Sequence, residues 1–193
     1  MKWSKCSQAN QDKFAYELIG PRGTYIEIGG HLPKRRSNTH NLEVCYKWRG
    51  FSVEFDTQYK KEWDNYPQRT NPIYWGDALN FNYKNALEDL KLPMHINYLS
   101  VDIEPPENTF KALQKVISDG VTFDIITFEH DSYQCKEDYH KIACDYLLPL
   151  GYKVAVTDVW HKKPTRLFET WFVNKNIQFN KIDYTTWSKN GAF

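Results

Sequence analysis

The sequence predicts an α/β fold in which helices cover both faces of a mostly parallel sheet. Short apolar runs rich in β-branched residues alternate with segments of helical periodicity, which is the pattern of consecutive βα units. The chain has 193 residues, of which 41% are hydrophobic, and this suits one domain with a sizeable core. We therefore expect a single domain over residues 1–193, with a helical segment over residues 1–22 packed against it.

The N-terminal part of the chain predicts a helix followed by the first strand. Phe14 and Leu18 lie four residues apart on one face of a helix from about Gln8 to Ile19, and Gly20-Pro21 is its stop signal. The first strand is expected over Thr24–Ile28 and is followed by two glycines. The loop beyond it contains serine and asparagine residues that can cap the next helix.

The middle of the chain predicts four further strands, each followed by a helix or turn. The strands are expected over Phe51–Phe55, Pro72–Trp75, Asn97–Val101 and Phe123–Phe128. Apolar residues at helical spacing mark the helices, namely Leu42, Cys45 and Trp48; Ala86, Leu87 and Leu90; Phe110, Leu113 and Ile117; and Tyr139, Ile142, Ala143 and Tyr146. The third of these helices begins at Pro105-Pro106 and ends at Gly120, matching the preference for proline at the start and glycine at the end.

The C-terminal part of the chain changes this pattern. Two strands, Tyr152–Val156 and Leu167–Val173, are separated by a short basic loop with no room for a helix. They are therefore expected to form an antiparallel hairpin at one edge of a seven-stranded sheet. Five βα units closed by such a hairpin are the layout of the Rossmann-like class I methyltransferase fold, although periodicity alone also allows other doubly wound folds.

Composition restricts the classes of partner. The chain has 25 Lys+Arg against 24 Asp+Glu, so it has no general electrostatic attraction to nucleic acid or to an anionic membrane. A small-molecule substrate is the expected partner. No apolar stretch approaches the roughly 20 residues that a membrane span needs, the first residues show no signal-peptide pattern, and the four cysteines form no CxxC pair, so we expect a cytoplasmic protein with reduced thiols.

Acidic side chains lie at or just after the ends of the five predicted parallel strands. They are Glu27; Glu54 and Asp56; Asp77; Asp102 and Glu104; and Glu129, which precedes His130. Ligands of open α/β sheets bind outside the carboxyl ends of the strands, and burying unpaired carboxylates is costly, so this pattern predicts a polar ligand with hydrogen-bond donors. Glu54 can accept both hydroxyls of a ribose, or can instead cap a helix or face water.

Seven stretches, spread over most of the chain, share their order and spacing with a known family. They are Ser7–Phe14, Tyr25–His31, Ser37–Glu43, Trp48–Glu54, Tyr98–Glu104, Phe123–His130 and Phe168–Val173. Together they resemble the motifs of the FkbM-type S-adenosylmethionine-dependent methyltransferases. The resemblance implies methyl transfer from S-adenosylmethionine to an oxygen of a sugar-like or small hydroxylated metabolite.

The resemblance also implies roles for particular residues. Those implied to surround the methionine part of the cofactor are Glu27, Gly29, His31, Ser37 and Asn38. It places Glu54 at the ribose, Asp77 at the adenine and Asp102 next to the reacting centre.

The chain departs from the family pattern in two loops. Leu32-Pro33 replaces an Asp-Gly pair, and proline neither adopts a positive φ nor supplies an N–H, so the loop must follow another path. Pro105-Pro106 replaces Gly-Ser between Glu104 and Glu107, which stiffens that turn. These departures motivate an alternative function, a non-catalytic cofactor- or ligand-binding protein on the same fold.

An oxygen acceptor needs a base, and Asp102, Glu104 and His130 are the candidates. The same three side chains could bind a divalent metal, although a metal site is not expected here. The basic run Lys34-Arg35-Arg36 borders the expected pocket and either recognises a phosphate or carboxylate or is a solvated loop. The run His161-Lys162-Lys163 has the same two interpretations.

Overall fold

The computed structural model describes residues 4–160 and 165–179, so the basic run at residues 161–163 lies outside the described residues. Its strands are β1 Thr24–Ile28, β2 Arg49–Glu54, β3 Ile73–Trp75, β4 His95–Val101, β5 Thr122–Glu129, β6 Tyr152–Trp160 and β7 Leu167–Asn174. They form one seven-stranded sheet in the order β3-β2-β1-β4-β5-β7-β6. The pairs from β3 to β5 are parallel, whereas β7 is antiparallel to both β5 and β6. The mostly parallel sheet with a C-terminal antiparallel hairpin is thus confirmed.

The helices agree with the predicted order, with one addition. They are α1 Gln11–Ile19, α2 His40–Tyr46, α3 Lys60–Asp64, α4 Tyr83–Asp89, α5 Pro106–Ser118 and α6 Tyr139–Leu147. The first helix begins three residues later than predicted because Asn10 has a left-handed backbone, with φ of 62°. Helix α3, preceded by a 3₁₀ turn over Thr57–Tyr59, was not predicted, since Trp63 is its one buried residue and no apolar period marks it.

Side chains alternate between the two faces of the sheet, as strand geometry requires. Ile26 and Ile28 of β1 pack in a core with residues of α4, α5 and α6, whereas Tyr25 packs on the other face with residues of α1 and α2. Helices therefore cover both faces, as predicted. Among the helices of the described ranges, none combines the length and apolar character that crossing a bilayer requires.

Buried polar contacts attach the N-terminal segment to this domain. The Asp12 carboxylate accepts hydrogen bonds from Ser7 Oγ and Asn41 Nδ2, both at 2.6 Å. Gln11 Nε2 donates to Glu169 Oε2 of β7 at 2.9 Å. Asn41 lies on α2 and Glu169 on β7, so these contacts hold α1 against two separate elements, and the Ser7 contact joins the preceding segment to α1.

The strand order reverses between β1 and β4, which opens a crevice at the carboxyl ends of these strands. Gly29 follows β1 and has a φ of +92°. A Cβ at this position would lie 1.8 Å from the backbone oxygen of Asp102, so only glycine allows the two strand ends to approach this closely.

Candidate functional site

A cavity of about 670 Å³ occupies this crevice. Six of the ten residues that the sequence indicates for the site line it, namely Gly29, His31, Glu54, Asp77, Asp102 and Glu104. They come from the carboxyl ends of four strands, β1, β2, β3 and β4, so the strand-end pattern gathers side chains that are far apart in the sequence. The other four predicted residues lie behind this cavity or beside a second one.

Glu54 ends β2 on the wall of the cavity and is 9% exposed. Its Oε2 accepts a hydrogen bond from the backbone N–H of His31 at 2.7 Å, and its Oε1 accepts one from the N–H of Asp56 at 2.7 Å. Two backbone donors therefore hold the carboxylate in one orientation. Each carboxylate oxygen can accept more than one hydrogen bond, so both remain able to accept a ligand hydroxyl.

His31 forms the adjoining wall. Its ring lies against the ring of Tyr59, with centroids 4.3 Å apart, and its carbonyl accepts a hydrogen bond from Trp63 Nε1 at 2.8 Å. Burial, together with the nearby charge of Arg36, lowers the pKa of His31, so the ring is neutral at pH 7. Within the described residues, His31 Nδ1 is buried and has no hydrogen-bond partner. Buried polar atoms are nearly always hydrogen-bonded, so this nitrogen is a candidate to bond a ligand.

Asp102 and Glu104 follow β4 on the facing wall of the cavity. Burial raises the pKa of Asp102 to about 7, and the neighbouring carboxylates of Asp131 and Glu104 add to the effect. Burial and Asp131 also raise the pKa of Glu104. A carboxyl group that titrates near neutrality can exchange a proton at physiological pH, which suits a general base.

Glu27, Ser37 and Asn38 lie behind the cavity, in a buried polar network. Glu27 Oε1 accepts hydrogen bonds from Ser37 Oγ at 3.2 Å and from the backbone N–H of Asn38 at 3.0 Å. Its Oε2 accepts from Thr39 Oγ1 and Ser52 Oγ, both at 2.8 Å. These three predicted residues thus hold the loop between β1 and α2, and they do not line the cavity.

Arg69 is the centre of this network, and the sequence analysis missed it. Its side chain is 1% exposed, with Nε 2.5 Å from Glu43 Oε2 and Nη2 3.5 Å from Glu27 Oε2. Nη1 donates to Ser37 Oγ at 3.0 Å and to the carbonyl of Pro33 at 3.2 Å. No local pattern marks this arginine. The only sequence signal is indirect: acids at buried positions such as Glu27 require a cation.

The same contacts show how the chain accommodates Leu32-Pro33. Proline offers a carbonyl but no N–H, and two of the contacts that hold this loop use carbonyls, that of Pro33 with Arg69 and that of His31 with Trp63. Arg69 and Trp63 both belong to the segment between β2 and β3. The loop that contains Leu32-Pro33 is therefore held by residues from a different part of the chain.

His130 lies beside a second cavity, of about 340 Å³, which Ser132, His140 and Thr170 also line. Its Nδ1 accepts hydrogen bonds from the N–H of Ser132 at 3.3 Å and from the Ser132 hydroxyl at 2.7 Å, and its Nε2 lies 3.2 Å from Thr170 Oγ1. Burial, assisted by His140, lowers the pKa of His130 to about 4. His130 therefore does not share a cavity with Asp102 and Glu104.

Over residues 4–160 and 165–179, no group of three His, Cys, Asp or Glu side chains has the arrangement of a metal site.

Further cavity residues were not singled out for this role from the sequence. They include Gln8, Phe55, Tyr59 and Asn108, whereas Arg36, which also lines the cavity, belongs to the basic run that was expected to border it. Phe55 is 76% exposed, although it is large and apolar, and it directly follows Glu54. An exposed ring beside a polar cavity can stack on a planar ligand.

Asp77, which also lines the cavity, accepts hydrogen bonds from the N–H of Leu79 at 2.9 Å and from Asn80 Nδ2 at 2.6 Å. It therefore also caps the turn before α4.

Solved structures share this architecture. The chain is similar to the magnesium protoporphyrin IX methyltransferase ChlM of Synechocystis with bound S-adenosylmethionine, with 10% identity and a TM-score of 0.57 over 86% of this chain and 79% of that one. It is similar to Aeropyrum pernix fibrillarin with bound S-adenosylmethionine, with 15% identity and a TM-score of 0.54 over 85% and 76% of the two chains. It also resembles M. jannaschii TYW2 in complex with the same cofactor, with 14% identity and a TM-score of 0.54 over 90% and 77% of the two chains.

These comparisons define the fold. The chain has the Rossmann-like class I methyltransferase fold of these S-adenosylmethionine-dependent enzymes, as its strand and helix order predicts. No protein-family model and no curated protein sequence matches it. The FkbM-type resemblance accordingly stands on the sequence motifs alone.

Proposed function

We propose that this protein is an S-adenosylmethionine-dependent methyltransferase that methylates an oxygen of a sugar-like or small hydroxylated metabolite. The observation that carries the proposal is the cavity at the strand-order reversal, where an oriented carboxylate, Glu54, faces a carboxyl group of raised pKa, Asp102. A candidate ribose-binding acid and a candidate base thus line one cavity of about 670 Å³. That volume falls within the ordinary range of small-molecule sites.

The lining residues fit the parts of the cofactor. The Glu54 carboxylate would accept the ribose hydroxyls, and the exposed ring of Phe55 would cover the adenine near Asp77. Gly29 and the unpartnered Nδ1 of His31 would contact the methionine part. Glu27, Ser37 and Asn38 would act indirectly by holding the loop that contains His31.

When bound, the cofactor supplies a methyl group attached to a positively charged sulfonium sulfur, and that sulfur becomes a neutral thioether once the methyl group is transferred. Asp102 would accept the proton of the acceptor hydroxyl while the oxygen forms its bond to the methyl carbon and the sulfur–carbon bond breaks. The raised pKa of Asp102 suits this role, since the group takes up and returns a proton near pH 7. Glu104, which lines the same cavity, adds to that raised pKa after burial and Asp131.

The first test is cofactor binding by calorimetry. Wild-type protein should bind S-adenosylmethionine and S-adenosylhomocysteine, and Glu54→Gln should weaken both by about 1.5–3 kcal/mol per lost charge-assisted hydrogen bond. The matched control is Glu88→Gln, an exposed acid on α4, which should leave affinity unchanged. A folded Glu54→Gln protein with wild-type affinity would remove Glu54 from the site.

A second prediction concerns the altered loop. Restoring Asp-Gly at Leu32 and Pro33 should change cofactor affinity by no more than about 0.5 kcal/mol, because the carbonyl contacts from Arg69 and Trp63 persist in the double variant. Calorimetric titration of both proteins checks this. Wild-type protein that binds no cofactor, beside a double variant that does, would show that the proline closes the cavity and would favour the non-catalytic alternative.

A further inference from the structure

A separate groove lies on the outer side of the loop between β1 and α2. It has a volume of about 460 Å³ and is lined by Leu32, Pro33, Lys34 and Arg35 from this loop and by Lys61, Glu62, Asn65 and Tyr66 from α3 and the residues after it. The two neighbours of this loop segment, His31 and Arg36, line the candidate cofactor cavity. The groove is therefore separate from the candidate cofactor cavity, and the loop between β1 and α2 contributes to the walls of both.

Positive charge is concentrated around this groove. Five exposed cationic side chains lie on the two segments that form it: Lys34, Arg35 and Lys61 line the groove, and Arg36 and Lys60 are their neighbours in the chain. In the part of the chain that the structure describes, none of the five belongs to an ion pair. The acids on the same helix are Glu62 and Asp64, so the local balance is positive although the whole chain has a net charge of only +1.

The field of these cations reaches neighbouring groups. After burial, which is the larger cause, Arg36 and Arg35 contribute to the lowered pKa of His31. Lys34 contributes in the same way to the pKa of His40, which falls to about 4. Because Glu62 is the one acid among the residues that line the groove, beside Lys34, Arg35 and Lys61, the local balance of charge in the lining is positive.

The floor of the groove is apolar and partly aromatic. Leu32 and Pro33 provide aliphatic surface, and Tyr66 is held in place by its hydroxyl, which lies 2.9 Å from His40 Nε2. A row of exposed cations around an aromatic floor is the combination that binds single strands, because phosphates contact the cations and bases stack on the ring.

We propose that this groove binds single-stranded nucleic acid beside the candidate cofactor cavity. The whole-chain charge argues against general attraction to nucleic acid, but it averages over the surface and does not describe this patch. The proposal concerns binding and does not depend on methyl transfer. Arg36 is left out of the test variants because it lines the cofactor cavity.

The experiment measures the fluorescence anisotropy of a labelled oligouridylate over a range of salt concentrations. The triple variant Lys34→Ser, Arg35→Ser and Lys61→Ser should lower affinity at least tenfold at low salt. It should also reduce the slope of log affinity against log salt by about 2, since each phosphate contact on a single strand contributes about 0.7. Tyr66→Leu should weaken binding several-fold, whereas Tyr66→Phe, which keeps the ring, should retain it.

The matched control is the triple serine variant at Lys91, Lys153 and Lys175, which are exposed and do not line the groove: Lys91 follows α4, Lys153 lies on β6 and Lys175 follows β7. It should leave the affinity and the slope unchanged. Absence of binding by the wild type, equal losses in the two triple variants, or binding of anionic vesicles in preference to the oligonucleotide would each overturn the proposal. A deoxyuridylate arm shows which sugar is preferred. Calorimetry should give the same affinity for S-adenosylmethionine in wild type and in the groove variant. A failure of the nucleic-acid proposal can therefore be told apart from a failure of the proposed methyltransferase function.

Discussion

Arg69→Met is expected to lower the free energy of unfolding by about 3–5 kcal/mol, because it removes one partner of a buried ion pair. The Arg69 side chain is 1% exposed and contacts both Glu27 and Glu43, whose side chains are each 3% exposed. Methionine preserves much of the volume but leaves two buried carboxylates without their cation. Urea unfolding monitored by tryptophan fluorescence measures the effect.

Two further variants make this result specific. Arg22→Met, at an exposed arginine, should change stability by no more than about 0.5 kcal/mol. Arg69→Lys keeps the charge but loses the guanidinium group that bonds Glu43, Ser37 and Pro33. Its free energy of unfolding should therefore lie between those of wild type and Arg69→Met. A loss below about 1 kcal/mol would contradict the assignment of Arg69 as the centre of the network.

Asp102→Asn is expected to depress methyl transfer by about 10²–10⁴-fold, the usual effect of losing a positioned general base. Cofactor affinity should change little, because the role proposed for Asp102 is at the acceptor and not at the ribose. The assay follows transfer from radiolabelled S-adenosylmethionine to an acceptor found by screening simple sugars and hydroxylated metabolites. Normal turnover in this variant would defeat the assignment, and a matched loss of affinity would place Asp102 with the cofactor.

The pH profile provides a separate check on the same residue. The pKa of Asp102 is raised to about 7 by burial and by Asp131 and Glu104, so the carboxyl group is protonated below pH 7 and cannot accept a proton. Wild-type turnover should therefore rise as the pH passes about 7. Glu104→Gln removes one like charge and should move this rise to lower pH, and Asp102→Asn should abolish it. A profile that is the same in all three proteins would exclude Asp102 as the base.

Local sequence determined the elements of the sheet and one part of the site. The first strand was predicted over its observed range, Thr24–Ile28, because an apolar β-branched run bounded by glycines has no competing interpretation as a helix. Helix α5 was located by proline at its start and glycine beyond its end. The position of Glu54 in the cavity followed in the same way, since the carboxyl end of a parallel strand always faces the ligand edge.

Only the tertiary structure decided which strand-end groups share the cavity. Glu27 was expected there, but its carboxylate contacts Arg69, which lies 42 residues further along the chain in a segment without periodicity. His130 turns away from Asp102 because its N–H donates to the carbonyl of Phe168 at 2.7 Å, which directs the chain toward β7. Such contacts depend on the register of strands and the path of loops between distant residues. Hydrophobic periodicity records the local conformation and the buried face of a segment, but it contains no information on which distant side chain will satisfy a buried charge.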